Sequence, residues 1–552
     1  MDYTASEVWN LYQKGIDYIN KKRLIAETNQ SWNFYIGKQW EGLKSGSEKP
    51  PFFNIIHQNV MRLTTTIYSN RLAITYTDLE GRTELQPIYD MLQTKFKEDW
   101  ERAKEDQLMR TTLKEACITG DGIQFFGHGA DMSKVQRIDN TAILYGDESE
   151  PDIQKQPYFM IYQRETVASV RKQARKHGIP EDEISRIVAD TETNELIGNR
   201  QEVDANELAE TGKVTTIIYF TKNEDGVVCA MRSTKAVVYE PFHELRGEAS
   251  KLDTAKGIKG KGLRLYPVCK LSWELRPNDA RGISQAQQLI PNQMEINKCL
   301  ARDSMASKNC SFPRMVYLED SVIDPDMLDV VGGKIALRGG DVSEINKLIT
   351  YLQPATTNGE ANRLIHDLIE ITQEISGSGE TTMGNIDLTR VAASAIVAVN
   401  EQAQSMHDEQ VAASAQFGED LAALWAELHI VYEPDGFTVE EETTDPITGA
   451  PMMVKNRVTQ EMLDMLKPAV RVDITKENSF TIQARDKWLD DLLNAEKIDL
   501  ETRVRLAAEG SPIPKHEMLK ELERIKAEQM AMQQQMATQP PPPEQPPTQP
   551  PR

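Results

Sequence analysis

The chain has no apolar run approaching the roughly 20 residues that a membrane span needs. Its opening Met1-Asp2-Tyr3 lacks the basic region and apolar stretch of a signal peptide. A soluble protein of intracellular origin is expected. Cysteine is scarce: five in 552 residues (Cys117, Cys229, Cys269, Cys299, Cys310), with no Cys-x-x-Cys pair. That argues against a disulfide framework and a zinc site, and for free buried thiols. Positive charge is also in deficit, with 63 Lys and Arg against 85 Asp and Glu and a formal net charge of −22. A protein that grips DNA needs clustered cations. The acidity therefore reads as solubility, or as a surface that faces DNA without adhering to it.

Catalytic motifs are missing as well. Gly377 and Gly379 begin a GxG, but Gly384 misses the third position of GxGxxG, and the loop follows a helix where a dinucleotide site needs a strand. Thr211-Gly212-Lys213-Val214 lacks the upstream glycine and Ser/Thr of a P-loop, and His243-Glu244 has no second histidine four residues on. Ser378 lacks the flanking spacing of GxSxG. Asp324, Asp326 and Asp329 read as the surface carboxylates of a turn rather than cation ligands. The eight histidines show no metal spacing. No enzyme, cofactor or metal site is expected.

What the chain does have is helical periodicity around a glycine-rich break. Ala361, Leu364, Ile365, Leu368 and Ile369 form one apolar stripe. The pattern stops at Ser376–Asn385, where three glycines sit among small polar residues. It resumes near Leu388 and runs to Leu428 with Gly418 as an expected bend, a rod of roughly 60 Å if unbroken.

Upstream, Trp9, Tyr12, Ile16 and Ile19 fall at helical spacing, and the aromatic run Trp32–Trp40 reads as a packing anchor. A helix starts at Asn54, and Leu85–Thr119 reads as one charged helix ended by Gly120-Asp121-Gly122. Strands are expected at 123–126, 158–164, 266–273 and 312–318, with a hairpin about Asn223-Glu224-Asp225-Gly226. Arg171, Lys172, Arg175 and Lys176 make 167–177 a short basic helix, by default a solvated face. A helix opening at Gly282-Ile283-Ser284 runs towards Ser307 and should be kinked or divided at Pro291. A small β insert then separates it from the helix around Leu368, so the two helices should lie side by side with the insert at one end. Helices are expected again from Trp488, around Val504, and through Leu519–Ile525, before a disordered Pro/Gln tail from Gln539. The fold class is α+β, mainly α.

The order of these parts resembles the portal proteins of tailed double-stranded DNA bacteriophages. The resemblance rests on Asn33-Phe34-Tyr35-Ile36-Gly37-Lys38-Gln39-Trp40, on Ala116-Cys117-Ile118-Thr119-Gly120-Asp121-Gly122, and on Pro267 through Gly282-Ile283-Ser284 and Gln293-Met294-Glu295-Ile296-Asn297 to the rod. It implies a ring, usually of twelve copies, at one capsid vertex of the virion, made in the host bacterial cytoplasm. It implies a wing (1–281), a first stem helix (282–308), a clip (309–356), a second stem helix (357–376), a tunnel loop (377–390), a long helix returning to the wing (391–432), wing strands (433–485), a helical crown (486–537) and a tail (538–552).

By the same resemblance Ser378, Gly379, Glu380, Thr381, Thr382, Met383, Gly384 and Asn385 line the DNA channel, and Arg314, Tyr317, Asp324, Asp326, Lys334 and Arg338 meet partners at the clip. The implied partners are further copies of the chain, double-stranded DNA passing without sequence readout, the terminase large subunit, head-completion or adaptor proteins, and the major capsid and scaffolding proteins, with no membrane. Small, nearly uncharged loop side chains suit sliding contact, because Lys or Arg there would pair with phosphates. Two other classes stay open from the residues alone: a metal-dependent nuclease or hydrolase on a helical scaffold, and a head–tail adaptor without a channel.

Overall fold

Local signals start and stop the first helices. The Thr4 hydroxyl accepts from the Glu7 amide while the Glu7 carboxylate accepts from the Thr4 amide, a reciprocal cap that opens α1 (Ala5–Lys21). α2 (Leu24–Ile36) ends at Gly37, whose φ of +88° is left-handed. The computed structural model describes residues 3–40, 51–68, 70–127, 134–190, 212–248, 260–311, 315–317, 349–351, 360–376, 407–433, 436–444, 451–459, 468–476, 479–495 and 497–506, with isolated residues at 462–466 and 518–525. They fall into two units: Met1–Tyr68 with Leu72–Asp473, and Ser69–Arg71 with Ile474–Arg552.

In the larger unit α3 (Ile55–Tyr68) leads into β1 (Asn70–Asp78) and then α4 (Gln86–Ala103) and α5 (Glu105–Thr119). The single helix expected over 85–119 is two, because Lys104 takes a left-handed φ of +54°. There the turn brings the Trp100 indole N–H to the Asp106 carboxylate at 3.1 Å. Then come β2 (Asp121–Phe125), β3 (Gln136–Ile138), β4 (Ile143–Tyr145), β5 (Tyr158–Thr166), α6 (Val167–Lys176), α7 (Glu181–Ile184), β6 (Lys213–Lys222), β7 (Val228–Ser233), β8 (Val238–Glu244) and β9 (Val268–Ser272).

Two antiparallel sheets result, ordered β3-β2-β9 and β4-β5-β6-β7-β8. Strands β3, β4 and β8 carry no alternation strong enough to have been read from sequence, whereas β1 alternates at Leu72, Ile74 and Tyr76 and was overlooked. One face of the larger sheet packs on α1 through Val8, Tyr12 and Ile19 against Leu144, Met160, Tyr162, Ile217, Tyr219 and Met231. Val170 and Ala174 of α6 cover Val214, Val237 and Tyr239. The cations of α6 are partly used internally: Arg171 donates to the Ile187 carbonyl and Arg175 pairs with Glu181.

α8 (Gln285–Ser311) runs without a break through Pro291, so the expected division does not occur. β10 (Met315–Tyr317) and β11 (Ile349–Tyr351) pair antiparallel, and α9 (Glu360–Ile375) follows. α10 (Asp408–Tyr432) continues as helix through the buried Gly418, so the chain is not interrupted there, and spans about 38 Å. The first part of the anticipated rod lies outside the described residues. β12 (Phe437–Thr444) and β13 (Pro451–Val458) form a long hairpin, and β14 (Pro468–Lys476) pairs with β1.

Trp425 of α10, fully buried, is the centre of the main core, with Phe96 at 5.0 Å and Tyr76 at 6.2 Å between ring centroids. Phe34 and Tyr35 of the aromatic run are buried in the same core, which makes that run a packing anchor. Cys117, Cys229, Cys269 and Cys299 are free and buried. In the smaller unit α11 (Ser479–Asn494) and α12 (Leu500–Leu506) bury Leu489 and Val504, and Arg503 pairs with Asp490 at 2.9 Å. The fold is mixed α and β. Among the described residues no helix is long and apolar enough to cross a membrane.

Candidate functional site: the joint beneath the helix pair

The sequence stretches singled out above are far apart in the chain, and folding brings them together at the start of α8. Gly120 and Gly282 lie back to back. A Cβ on Gly120 would stand 2.2 Å from the Gly282 carbonyl oxygen, and one on Gly282 would stand 2.3 Å from that of Gly120. Neither site admits a side chain, since what it would meet is backbone. The Asp121 carboxylate accepts from the Gly282 amide at 3.0 Å and from the Ser272 hydroxyl at 2.7 Å. Ser284 caps α8 by accepting from the Gln287 amide, and its hydroxyl donates to the Ile118 carbonyl at 2.6 Å.

Arg281 extends this joint into the β4 region. Its guanidinium donates twice to Glu148, each at 3.1 Å, and also to the carbonyls of Asn140 and Ile143. It stacks over the Tyr145 ring at 5.0 Å. Burial opposes its charge, but Glu148, Tyr145 and Asp121 outweigh that and hold its titration above the ordinary value. Lys270 stands 5.6 Å from the same ring and donates to the Ala280 carbonyl at 2.6 Å. There burial wins and lowers its titration, with Asp121 offsetting part of the effect.

Two to three helical turns into α8 a chain of buried amides ties the helix to the N-terminal region. The Gln293 side chain accepts from the Ile55 amide at 2.9 Å and donates to the Phe53 carbonyl and to the Asn297 side chain. Asn297 donates to Gln39 at 2.6 Å, and Gln39 donates to the Phe34 carbonyl at 3.0 Å. Above this, α8 and α9 pack side by side. Asn292 donates to the Thr372 hydroxyl at 3.3 Å, and Ile296 and Cys299 share a buried cluster with Ile365 and Ile55. Asn292 meets the C-terminal part of α9 and Cys299 its N-terminal part, so the helices run antiparallel. The segment between them therefore leaves and returns at one end. There Met315 faces Tyr351, Val316 faces Thr350 and Tyr317 faces Ile349.

Of the residues named from sequence as contacts, Tyr317 is placed in β10. Arg314, Asp324, Asp326, Lys334 and Arg338 lie outside the described residues, as do Ser378, Gly379, Glu380, Thr381, Thr382, Met383, Gly384 and Asn385. Arg281, Glu148, Lys270 and the Gln39–Asn297–Gln293 chain were not anticipated. Gln39, Gln293 and Asn297 stood in the stretches quoted for the resemblance, but their contact with one another had no sequence signal. Among the described residues no group of three or more His, Cys, Asp or Glu side chains could hold a metal ion. The joint is chemically a clamp: its polar groups are engaged with one another and position a helix. No protein-family model and no curated protein matches this chain.

Proposed function

We propose that the chain is a portal-type subunit, repeated around an axis to form a ring, a dodecamer as is usual for portals, through which double-stranded DNA passes during packaging and ejection. The segment 309–356 is the docking point for the terminase large subunit and later head-completion proteins, and 377–390 faces the channel. One observation carries the reading: the helix pair shows two different apolar faces to solvent.

On α8, Met294 and Met305 are 40% and 64% exposed, with Lys298 and Arg302 beside them. On α9, Leu364, Ile371 and Ile375 are 46%, 47% and 61% exposed, with Asp367 and Glu374 alongside. Spacings of 11 residues on α8, and of seven and four on α9, put each set on one side of its helix. Lys298 and Arg302 are ion-paired with Glu295 of α8 itself, at 3.2 and 3.6 Å, so the apolar stripes rather than free charge are what the pair offers to a neighbour. Two different apolar faces on one subunit suit a head-to-tail contact, and a head-to-tail contact that closes makes a ring. The remaining support is the resemblance in the order of the parts and the acidic, motif-poor composition.

Electron microscopy of the purified full-length protein tests this. Annular particles with a central hole are expected. Monomers alone, at high concentration and across a range of salt, overturn it.

A further inference from the structure

His429 lies in the last turn of α10, and its side chain is 1% exposed. Its Nε2 is 3.1 Å from the Asp99 carboxylate on α4, and its Nδ1 is 2.9 Å from the Glu433 carboxylate just past the end of α10. A neutral imidazole carries one N–H. It would turn a nitrogen lone pair against one carboxylate, whereas an imidazolium sets a positive charge beside both, hydrogen-bonded to Asp99 and in ion-pair contact with Glu433. The C-terminal carbonyls of α10 also favour a cation, and the Glu433 amide closes the helix on the His429 carbonyl at 3.1 Å.

The elements around the ring are accounted for as follows. α4 contributes Asp99, which also holds Lys95 at 3.1 Å and Arg102 at 3.6 Å. α10 contributes Glu433 and the Trp425 ring, at 4.2 Å, and β12 contributes the Phe437 ring, at 5.8 Å.

We propose that His429 is held as an imidazolium between Asp99 and Glu433 and acts as a pH-sensitive latch, pinning the last turn of α10 to α4 until rising pH removes its proton. Burial works against the charge, but Asp99 and Glu433 outweigh it and raise the titration above the ordinary value, while Asp99 is lowered in turn. A group raised in the folded state stabilises it fully below its unfolded pKa, and that stabilisation is lost as pH rises through the folded value. The latch therefore holds at low pH and opens as pH rises through the raised value. It depends on contacts within the larger unit and not on assembly into a ring.

The test compares thermal unfolding of the full-length protein with that of Glu433→Gln between pH 6 and 10. At pH 6 the unmodified protein should melt higher by about 2 °C or more. Towards pH 10 the gap should close or reverse, because the deprotonated Nδ1 then faces an amide donor in the variant and a carboxylate in the parent. A gap that stays constant or widens with pH overturns the latch. In the unmodified protein the amides of 426–433 should also lose hydrogen-exchange protection over the same range, beyond the intrinsic pH effect. Unchanged protection overturns it equally.

Discussion

At the start of α8, Arg281, Asp121, Lys270 and Ser284 each have a partner, and two glycine backbones touch. On the outer sides of the helix pair, Met305, Ile371 and Ile375 are 64%, 47% and 61% exposed. The first region is complete within one copy of the chain. The second is an amphipathic pair with an additional apolar side, the pattern of a surface awaiting a partner. The contrast separates what holds the subunit together from what it presents to others, and substitutions can probe each side.

The largest effect is expected at Gly282→Val. Its side chain would meet the Gly120 carbonyl, which cannot step aside, and Gly120 itself holds a φ of +100°. We expect a loss of more than about 4 kcal/mol, seen as failure to give soluble folded protein or as a collapse of the denaturant midpoint. A well-folded variant would show that the joint is looser than its geometry.

Glu105→Gln comes next. Glu105 is fully buried and its Oε1 accepts from Gln124 at 2.7 Å. Burial pushes its carboxyl up from 4.5 to about 7. A carboxyl raised in the folded state makes stability fall as pH rises from the unfolded to the folded value. The variant should gain on the parent between pH 4.5 and 7 and keep the advantage above, up to on the order of 3 kcal/mol. Denaturant melts at pH 4.5 and 8 read this directly, and equal differences at both would refute it.

Asn297→Leu should cost about 2 kcal/mol, because it strands the Gln39 and Gln293 amides in the core. The double variant with Gln39→Leu should cost clearly less than the two single losses together. Additive losses would mean that the two amides act independently.

The smallest change in folding is expected at Ile371→Asp, within about 0.5 kcal/mol, since the side chain is exposed. Its effect should appear in assembly instead, as smaller species in sedimentation with an unchanged denaturation curve. Rings forming undisturbed would remove α9 from the contact.

Much of the architecture was readable wherever a signal is local. The turn at Asn223–Gly226 combines a glycine at φ +75° with an asparagine side chain accepting from the amides of Asp225 and Val227. The period of α9 located the helix and the buried Ile365, but Leu364 of the expected stripe is 46% exposed; the two helices flanking an insert were legible from their order. Lys104 was not legible, because a non-glycine residue takes the left-handed region only when its surroundings demand it. Nor was the passage of α8 through Pro291, where packing overrides a local preference. Of the candidate site, the glycines and Ser284 drew attention as motif letters, while the reason for them, one backbone lying against another, had no local expression.

By itself the sequence determined those helix and turn ends that have a local signal, since caps, glycines and apolar periods act on neighbouring residues. It determined too that the chain carries no apolar span and an excess of acid. Only the tertiary structure decided that Gly120 meets Gly282, that Gln39 reaches Asn297, and that His429 sits between two carboxylates. Such contacts join residues distant in the chain through shape and hydrogen-bond complementarity, which leave no periodic trace in the order of amino acids.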